Sequence, residues 1–343
     1  MLRRWKNFLL MLVGLCVCPL AFSGNSTMTN PLLSQSRPWC IGRFVLDRPQ
    51  ASEISNQEYK FRGNSIETMY KSSVDDYARR VNELRDALHR KQRVNPGTNA
   101  PTGHPWLEKE IAPIADSTVF VYRRFDAASQ LNFKTEGFIF KDGRIFHTQG
   151  SVGAGALGRI ESIYNDMYSR IKARDNWTLP TGSGLCFDGG TVMGSSIYTE
   201  DVSQSFALMP GRPALLVIQM RDAVDVDQNE PLSKTLPQLR AQLGRLPGHY
   251  RVLREGRRQI AGMSAEEVLF ELQDGGITAY RFYLLAPGDP GTLAKPHTAI
   301  QLILGASSPD LTPAEATSPV DAAGALEVWD TLLNSLRLRP GAI

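Results

Sequence analysis

Little in this sequence points to catalysis. Its 343 residues include only five histidines, His89, His104, His147, His249 and His297, spread without any paired spacing. That scatter excludes a local His-x-x-x-His zinc pair, so neither a metal nor another cofactor is expected. A Gly-x-Ser-x-Gly nucleophile elbow is missing. The nearest approach, Gly262-Met-Ser264-Ala-Glu266, lacks the closing glycine, and Ser264 is instead expected to cap a helix whose first turn holds Glu266 and Glu267. No apolar stretch reaches the length a membrane-spanning helix needs, so no stable membrane insertion is expected. Charge of one sign is scarce too, with a formal net charge of only +3.

That small excess sits at the N-terminus. Arg3, Arg4 and Lys6 precede an apolar run from Phe8 to Leu20, and Ala21-Phe22-Ser23 supplies the small-x-small pattern of a signal-peptidase site. Residues 1–23 therefore read as a cleavable signal peptide, followed by a mature leader over 24–37. A lipoprotein signal fits less well, because Leu15 and Val17 precede Cys16 and Cys18 where a small residue is wanted. A twin-arginine signal wants an aromatic where Lys6 stands. Cleavage leaves 35 basic and 35 acidic residues, a balance that offers no electrostatic footprint for nucleic acid or anionic lipid. The densest cationic cluster, Arg251, Arg254, Arg257 and Arg258, reads as a solvated strand edge or helix face.

Cleavage also removes Cys16 and Cys18. Cys40 and Cys186 remain in an oxidising compartment, where a disulfide is the economical reading and two buried free thiols the alternative. Such a bridge closes a loop of about 150 residues, for which the loop-entropy relation gives roughly 4–5 kcal/mol.

Three further motifs carry less than they promise. Gly153-Ala-Gly155-Ala-Leu-Gly158 follows a strand pattern and opens a helix, but a dinucleotide fingerprint also needs an acidic residue closing a second strand about twenty positions on. Asp175 lies in a polar segment with no strand before it, so a loop leading into a helix is expected. Asp225-x-Asp227-x-Asn229 starts like a calcium loop but has Glu230 where glycine is required and Leu236 where the closing glutamate belongs. The adjacent carboxylates Asp75-Asp76 and Glu266-Glu267 diverge on a helix and suit capping better than acid–base work. With no local catalytic constellation, the weight shifts towards binding another macromolecule. The alternatives are an exported hydrolase whose site is assembled from distant residues, and an envelope module for a small ligand.

The chain divides near Arg174–Cys186, a Pro-, Gly- and polar-rich segment without apolar periodicity. Before it, a strand is expected over Ile41–Leu46, a helix through Val74, Tyr77, Val81, Leu84 and Leu88, a strand over Val119–Phe125, a hairpin turning at Asp142-Gly143, and a helix through Ile160, Ile163, Tyr164, Met167 and Ile171. After it come a strand near Cys186, a strand over Ala214–Met220 and a helix through Leu236, Leu239 and Leu243. A hairpin turning at Asp274-Gly275-Gly276, a strand over Ala299–Leu304 and a closing helix with Leu326, Trp329, Leu333 and Leu336 complete it. Strands cluster between helices, so the fold class is α+β, two tandem domains over 38–178 and 179–340, each with a largely antiparallel sheet.

Three stretches carry a resemblance: Trp39-Cys-Ile-Gly-Arg-Phe-Val-Leu-Asp-Arg-Pro49, Gly184-Leu-Cys-Phe-Asp-Gly-Gly190 and Trp329-Asp-Thr-Leu-Leu-Asn-Ser-Leu-Arg-Leu-Arg-Pro340. Ile260-Ala-Gly-Met-Ser-Ala-Glu-Glu267, followed by a strand and a Gly-Asp-Pro loop, adds to it. Together they resemble the immunity proteins of type VI secretion lipase effectors, over about residues 38–340. The resemblance implies a periplasmic, non-enzymatic protein, monomeric when free, that binds a cognate phospholipase effector and blocks its substrate access with both domains. It places Cys40 at the start of one domain and Cys186 at the start of the other, which suggests an interdomain staple. It names no contact residue.

Overall fold

The computed structural model describes residues 30–126, 132–195, 199–222, 230–245 and 248–343. The stretch expected to be a signal peptide, with Cys16 and Cys18, and the Asp225, Asp227 and Asn229 trio lie outside the described residues.

The first half runs β1 (Ser36–Ile41), β2 (Phe44–Pro49), β3 (Glu53–Phe61), β4 (Asn64–Met69), α1 (Val74–His89), β5 (Gln92–Val94), β6 (Pro101–Pro105), β7 (Leu107–Ile111), β8 (Ser117–Tyr122), β9 (Asn132–Lys141), β10 (Arg144–Gly153) and α2 (Ile160–Arg170). The second runs β11 (Ile171–Ala173), β12 (Gly184–Phe187), β13 (Gly190–Met193), β14 (Glu200–Ala207), β15 (Ala214–Arg221), α3 (Leu232–Leu243), β16 (His249–Ile260), β17 (Met263–Asp274), β18 (Ile277–Ala286), β19 (His297–Leu304), α4 (Pro313–Ala316), α5 (Ala322–Ser335) and β20 (Arg337–Leu338). The fold is α+β and its sheets are antiparallel throughout the paired strands.

Local chemistry accounts for the elements that were legible. α1 starts at a capping box in which the Ser73 hydroxyl accepts from the Asp76 N–H and the Asp76 carboxylate accepts from the Ser73 N–H. Those bonds, led by the Ser73 backbone, hold the Asp76 carboxyl down at about 2. The hairpin β9–β10 turns at Asp142 and Gly143, both at positive φ, and pairs ten residues on each side.

Twelve strands form one sheet in the order β16-β17-β18-β19-β15-β14-β3-β4-β10-β9-β8-β7. The halves meet inside it, because β14 pairs antiparallel with β3 from Glu200↔Phe61 to Ala207↔Glu53. A second sheet joins them again: β1 pairs β2, and β2 pairs β20 at the far end of the chain. α5 packs on β2, and the principal core runs through both halves, from Trp39, Phe44 and Phe61 to Phe282, Trp329 and Leu332.

Two expectations are corrected. Ile41–Leu46 is not one strand; Gly42 takes φ +57 and turns the chain between β1 and β2, with Val202 Cγ2 only 3.1 Å from where a Cβ would stand. Apolar residues on both sides of the turn hide it from any periodicity reading. Ser264 caps no helix. Ala261 and Gly262 are both at positive φ and fold β16 onto β17, so Ser264 is an exposed strand residue and Glu266 and Glu267 point to opposite faces of β17. The run Gly153–Gly158 leads through a 3-10 turn into α2, and nothing lies within 4 Å of a Cβ at Gly155 or Gly158.

Candidate partner-binding surface

The join between the halves is dense and buried. Cys40 of β1 and Cys186 of β12 are disulfide-bonded, across 146 residues of sequence. Beside them, the Cys186 N–H donates to the Gly42 carbonyl at 2.7 Å and the Gly42 N–H donates back at 3.2 Å. Arg43 follows directly and meets Glu200 through two bonds of 2.7 Å, with side-chain exposures of 2% and 6%. Its remaining donors reach the carbonyls of Gly194 and Ala342. The pair is thus buried yet fully hydrogen-bonded, the condition under which two desolvated charges are tolerated.

The segment that divides the sequence is pinned at this same join. Arg174 donates to the carbonyls of Asp175, Asn176 and Thr178 at 2.8–2.9 Å. Arg339 donates to those of Pro180, Gly182 and Gly184 at 2.6–2.9 Å. Burial lowers the pKa of both guanidiniums, but from so high a starting value that both stay charged. Between them Trp177 stacks edge-on to Trp39 at 4.9 Å, and Arg48 lies over both indoles at 4.0 and 4.5 Å.

With the join rigid, the two faces of the large sheet differ. One face carries Tyr59, Phe61, Ile66, Val202, Ile218 and Ile300 into the principal core, beneath α2 and α5. The other is covered in two separate places. α1 seats Val81 and Leu88 on Phe120, Phe138 and Ile145 at the β8–β10 end. α3 seats Leu236 and Leu243 on Val268 and Phe270 at the β17 end. Between these helices β19, β15, β14, β3 and β4 lie open among the described residues. Antiparallel partners share a face, so one row crosses the join through Glu58, Ser203, Gln219 and Ala299. On the second-half strands this side mixes half-buried Leu215, Val217, Leu285 and Ile303 with Ser203, Gln219 and Gln301. At one end of the row Glu58 and Ser203, with Lys60, Asp201 and Arg221, line a hollow of about 130 Å³.

The arginine cluster lies on β16, an edge of the large sheet. Arg254 and Arg258 turn inwards to Asp330 of α5 at 2.6 and 2.9 Å and to Glu267 at 2.8 and 3.2 Å. Glu267 also accepts from the Trp329 indole at 2.9 Å. Arg257 and Arg251 stay exposed. Glu266 accepts from the Ser233 N–H at the start of α3, so it does meet a helix N-terminus, though not one that follows it in sequence.

The histidines do not converge. His104 bonds Asp126, while His147 bonds Glu136 at 3.0 Å and stacks on Phe138. No group of three or more His, Cys, Asp or Glu among the described residues is arranged to hold a metal ion. Arg43, Glu200 and Trp177 gave no sequence signal, since a buried ion pair between residues so far apart leaves no periodicity.

Both halves match one family. Residues 37–162 match the N-terminal domain, and residues 178–341 the C-terminal domain, of Tle cognate immunity protein 4. The chain belongs to this family. As a member of an immunity-protein family it is a non-enzymatic inhibitor. Solved structures share the fold. The Tle4–Tli4 complex contains a chain with TM-score 0.78 and 21% identity, over 90% of this chain and 99% of that one. The apo immunity protein TplEi of the T6SS of Pseudomonas aeruginosa gives TM-score 0.75 and 20% identity, over 90% and 98%. The same protein complexed with an "L" peptide gives TM-score 0.71 and 20% identity, over 90% and 99%. No curated protein sequence matches the chain.

Proposed function

We propose that this immunity protein binds a Tle4-type phospholipase effector in the periplasm and neutralises it there by gripping, with both halves at once, the region that moves to open the lipase active site. The observation that carries this reading is the tandem match of both halves to the family's two domains. The solved Tle4–Tli4 complex supports it with a relative of the same fold. The signal peptide over residues 1–23 supplies the address, and Cys40–Cys186 suits an oxidising compartment. The halves over 38–178 and 179–340 act as one body, because the β3–β14 pairing crosses the boundary. A preformed body spends little of its binding free energy on ordering, which favours tight inhibition. Titrating the mature chain into the phospholipase should abolish hydrolysis at one equivalent. A phospholipase that stays fully active in excess inhibitor refutes the reading for that pair.

A further inference from the structure

The large sheet is continuous in strand order but not in pairing. β3 pairs with β14 over Glu53–Phe61, and β4 pairs with β10 over Ser65–Met69. Between β3 and β4 only Lys60↔Ser65 and Phe61↔Asn64 are paired, next to the turn at Arg62 and Gly63. Beyond those two pairs the arms part, so the sheet is two blocks, β16 to β3 and β4 to β7, that meet at a short joint. Had the pairing continued, Gln57 would stand opposite Thr68. Instead both reach the turn between β12 and β13. The Gln57 amide donates to the Asp188 carboxylate at 2.9 Å, and the Thr68 hydroxyl donates to the Asp188 carbonyl. The Tyr70 hydroxyl, just past β4, and the Asn176 amide donate to the other carboxylate oxygen. Phe187, fully buried, stands edge-on to Tyr59 of β3 at 6.2 Å and to Phe146 of β10 at 5.4 Å.

We propose that the Phe187-Asp188-Gly189 turn is a wedge that fixes the angle between the two blocks, with Asp188 the positioning residue that holds both arms of the parted hairpin at a set separation. Asp188 is 7% exposed and, among the described residues, its side chain is bonded by neutral donors only. A buried carboxylate without a cation is costly unless its lone pairs are filled, so the site favours the one arrangement in which these donors arrive together. The wedge is itself held from behind. Cys186, two residues earlier, is bonded to Cys40, the Gly189 N–H donates to the Asn176 side chain at 2.7 Å, and the Gly189 carbonyl accepts from the Arg174 N–H at 2.8 Å. Gly189 takes φ +70, and a Cβ there would stand 2.8 Å from Thr68 Cγ2, so the turn lies hard against β4. The functional consequence rests on the effector-binding reading. α1 sits on one block and α3 on the other, so a partner gripped by both halves is met at the spacing the wedge sets, with little left to order on binding.

The test reads angle and affinity separately. Glu83→Cys on α1 and Lys234→Cys on α3, both at side chains 63% exposed, carry spin labels in the mature chain, where Cys40 and Cys186 are already paired. Double electron–electron resonance then gives the distribution of distances between the labels. Asp188→Ala removes the carboxylate, and Thr68→Val combined with Tyr70→Phe frees β4 from the turn at nearly unchanged volume. Both should broaden or shift the distribution and weaken binding to the Tle4-type phospholipase of the same genome about 10-fold or more by calorimetry. Gly137→Ala, a strained substitution inside one block, is the control and should keep the parent's distribution. If Asp188→Ala does not fold, the Thr68 and Tyr70 pair decides. A parent-like distribution in the folded variants overturns the wedge, whatever their melting temperature. A changed distribution with parent-like affinity upholds the wedge and overturns its link to inhibition. A parent that does not bind the phospholipase overturns the functional reading, while the label distances still decide the wedge.

Discussion

Removing the disulfide separates two things a cross-link can do, stabilise the fold or hold its geometry. The appropriate variant is Cys40→Ala with Cys186→Ala, since serine would leave buried hydroxyls at positions only 3% and 0% exposed. The bond spans 146 residues, and the loop-entropy relation assigns about 5 kcal/mol to a loop of that size, with measured values commonly 2–5 kcal/mol. A cooperative unit of about 300 residues unfolds with an entropy of about 0.6 kcal/mol/K, so the melting temperature should fall by about 3–8 °C. Effector affinity should stay within about 3-fold. The backbone bridge between Gly42 and Cys186, the β3–β14 pairing and the β2–β20 pairing all survive the substitution and hold the halves in place. Differential scanning calorimetry and binding calorimetry read the two quantities, and parent protein treated with reductant separates loss of the cross-link from loss of the sulfur atoms' packing. A melting temperature lowered by less than about 1 °C would refute the entropic account. Unchanged stability with lost affinity would show that the bond sets the geometry instead.

Arg43→Met should cost about 3–5 kcal/mol in urea unfolding, because Glu200 is left charged and buried. Adding Glu200→Leu should recover most of that loss, and failure to recover it would place the value of the pair elsewhere. Gly137→Ala should destabilise by about 1–3 kcal/mol by the same assay, since its Cβ would collide with the Tyr168 hydroxyl and stand 2.9 Å from the Thr118 carbonyl; a neutral effect would mean that β9 and α2 shift apart freely. The Asp330 carboxyl is held below its ordinary value, first by hydrogen bonds from Arg254 and then by Arg258. A depressed folded pKa stabilises above the ordinary carboxylate value and is lost as pH falls through the depressed one. The melting temperatures of parent and Asp330→Asn should therefore differ by a small amount at pH 6, and the gap should begin to close only as the pH falls below about 4 and vanish below the depressed value; a constant gap would exclude this linkage. A fragment of residues 179–343 should show no sharp thermal transition, because β14 loses β3 and α5 loses β2. A soluble fragment that melts cooperatively would show that the second half folds alone.

Much of the fold was legible where the signal is local. α1 and α5 show apolar residues at helical spacing, and Asp142-Gly143 and Asp274-Gly275-Gly276 mark turns that only positive φ allows. The family motifs were legible for a related reason, since Trp39, Cys186 and Trp329 are each buried in the core and sit in short strings of turn and core residues. Reading failed where two unlike environments share one pattern. Gly262-Met-Ser264 looks like a capped helix start until the Ala261-Gly262 turn commits it to a strand. Ile41–Leu46 looks like one strand because both arms of a tight hairpin are buried.

The sequence by itself determined the α+β class and the family, because each depends on residue type or on spacing within a few turns. Only the tertiary structure decided that β3 and β14 merge the halves into one sheet and that Arg43 finds Glu200. Those features join residues more than a hundred positions apart. Such contacts are selected by the packing of whole sheets and helices, and no local pattern encodes them.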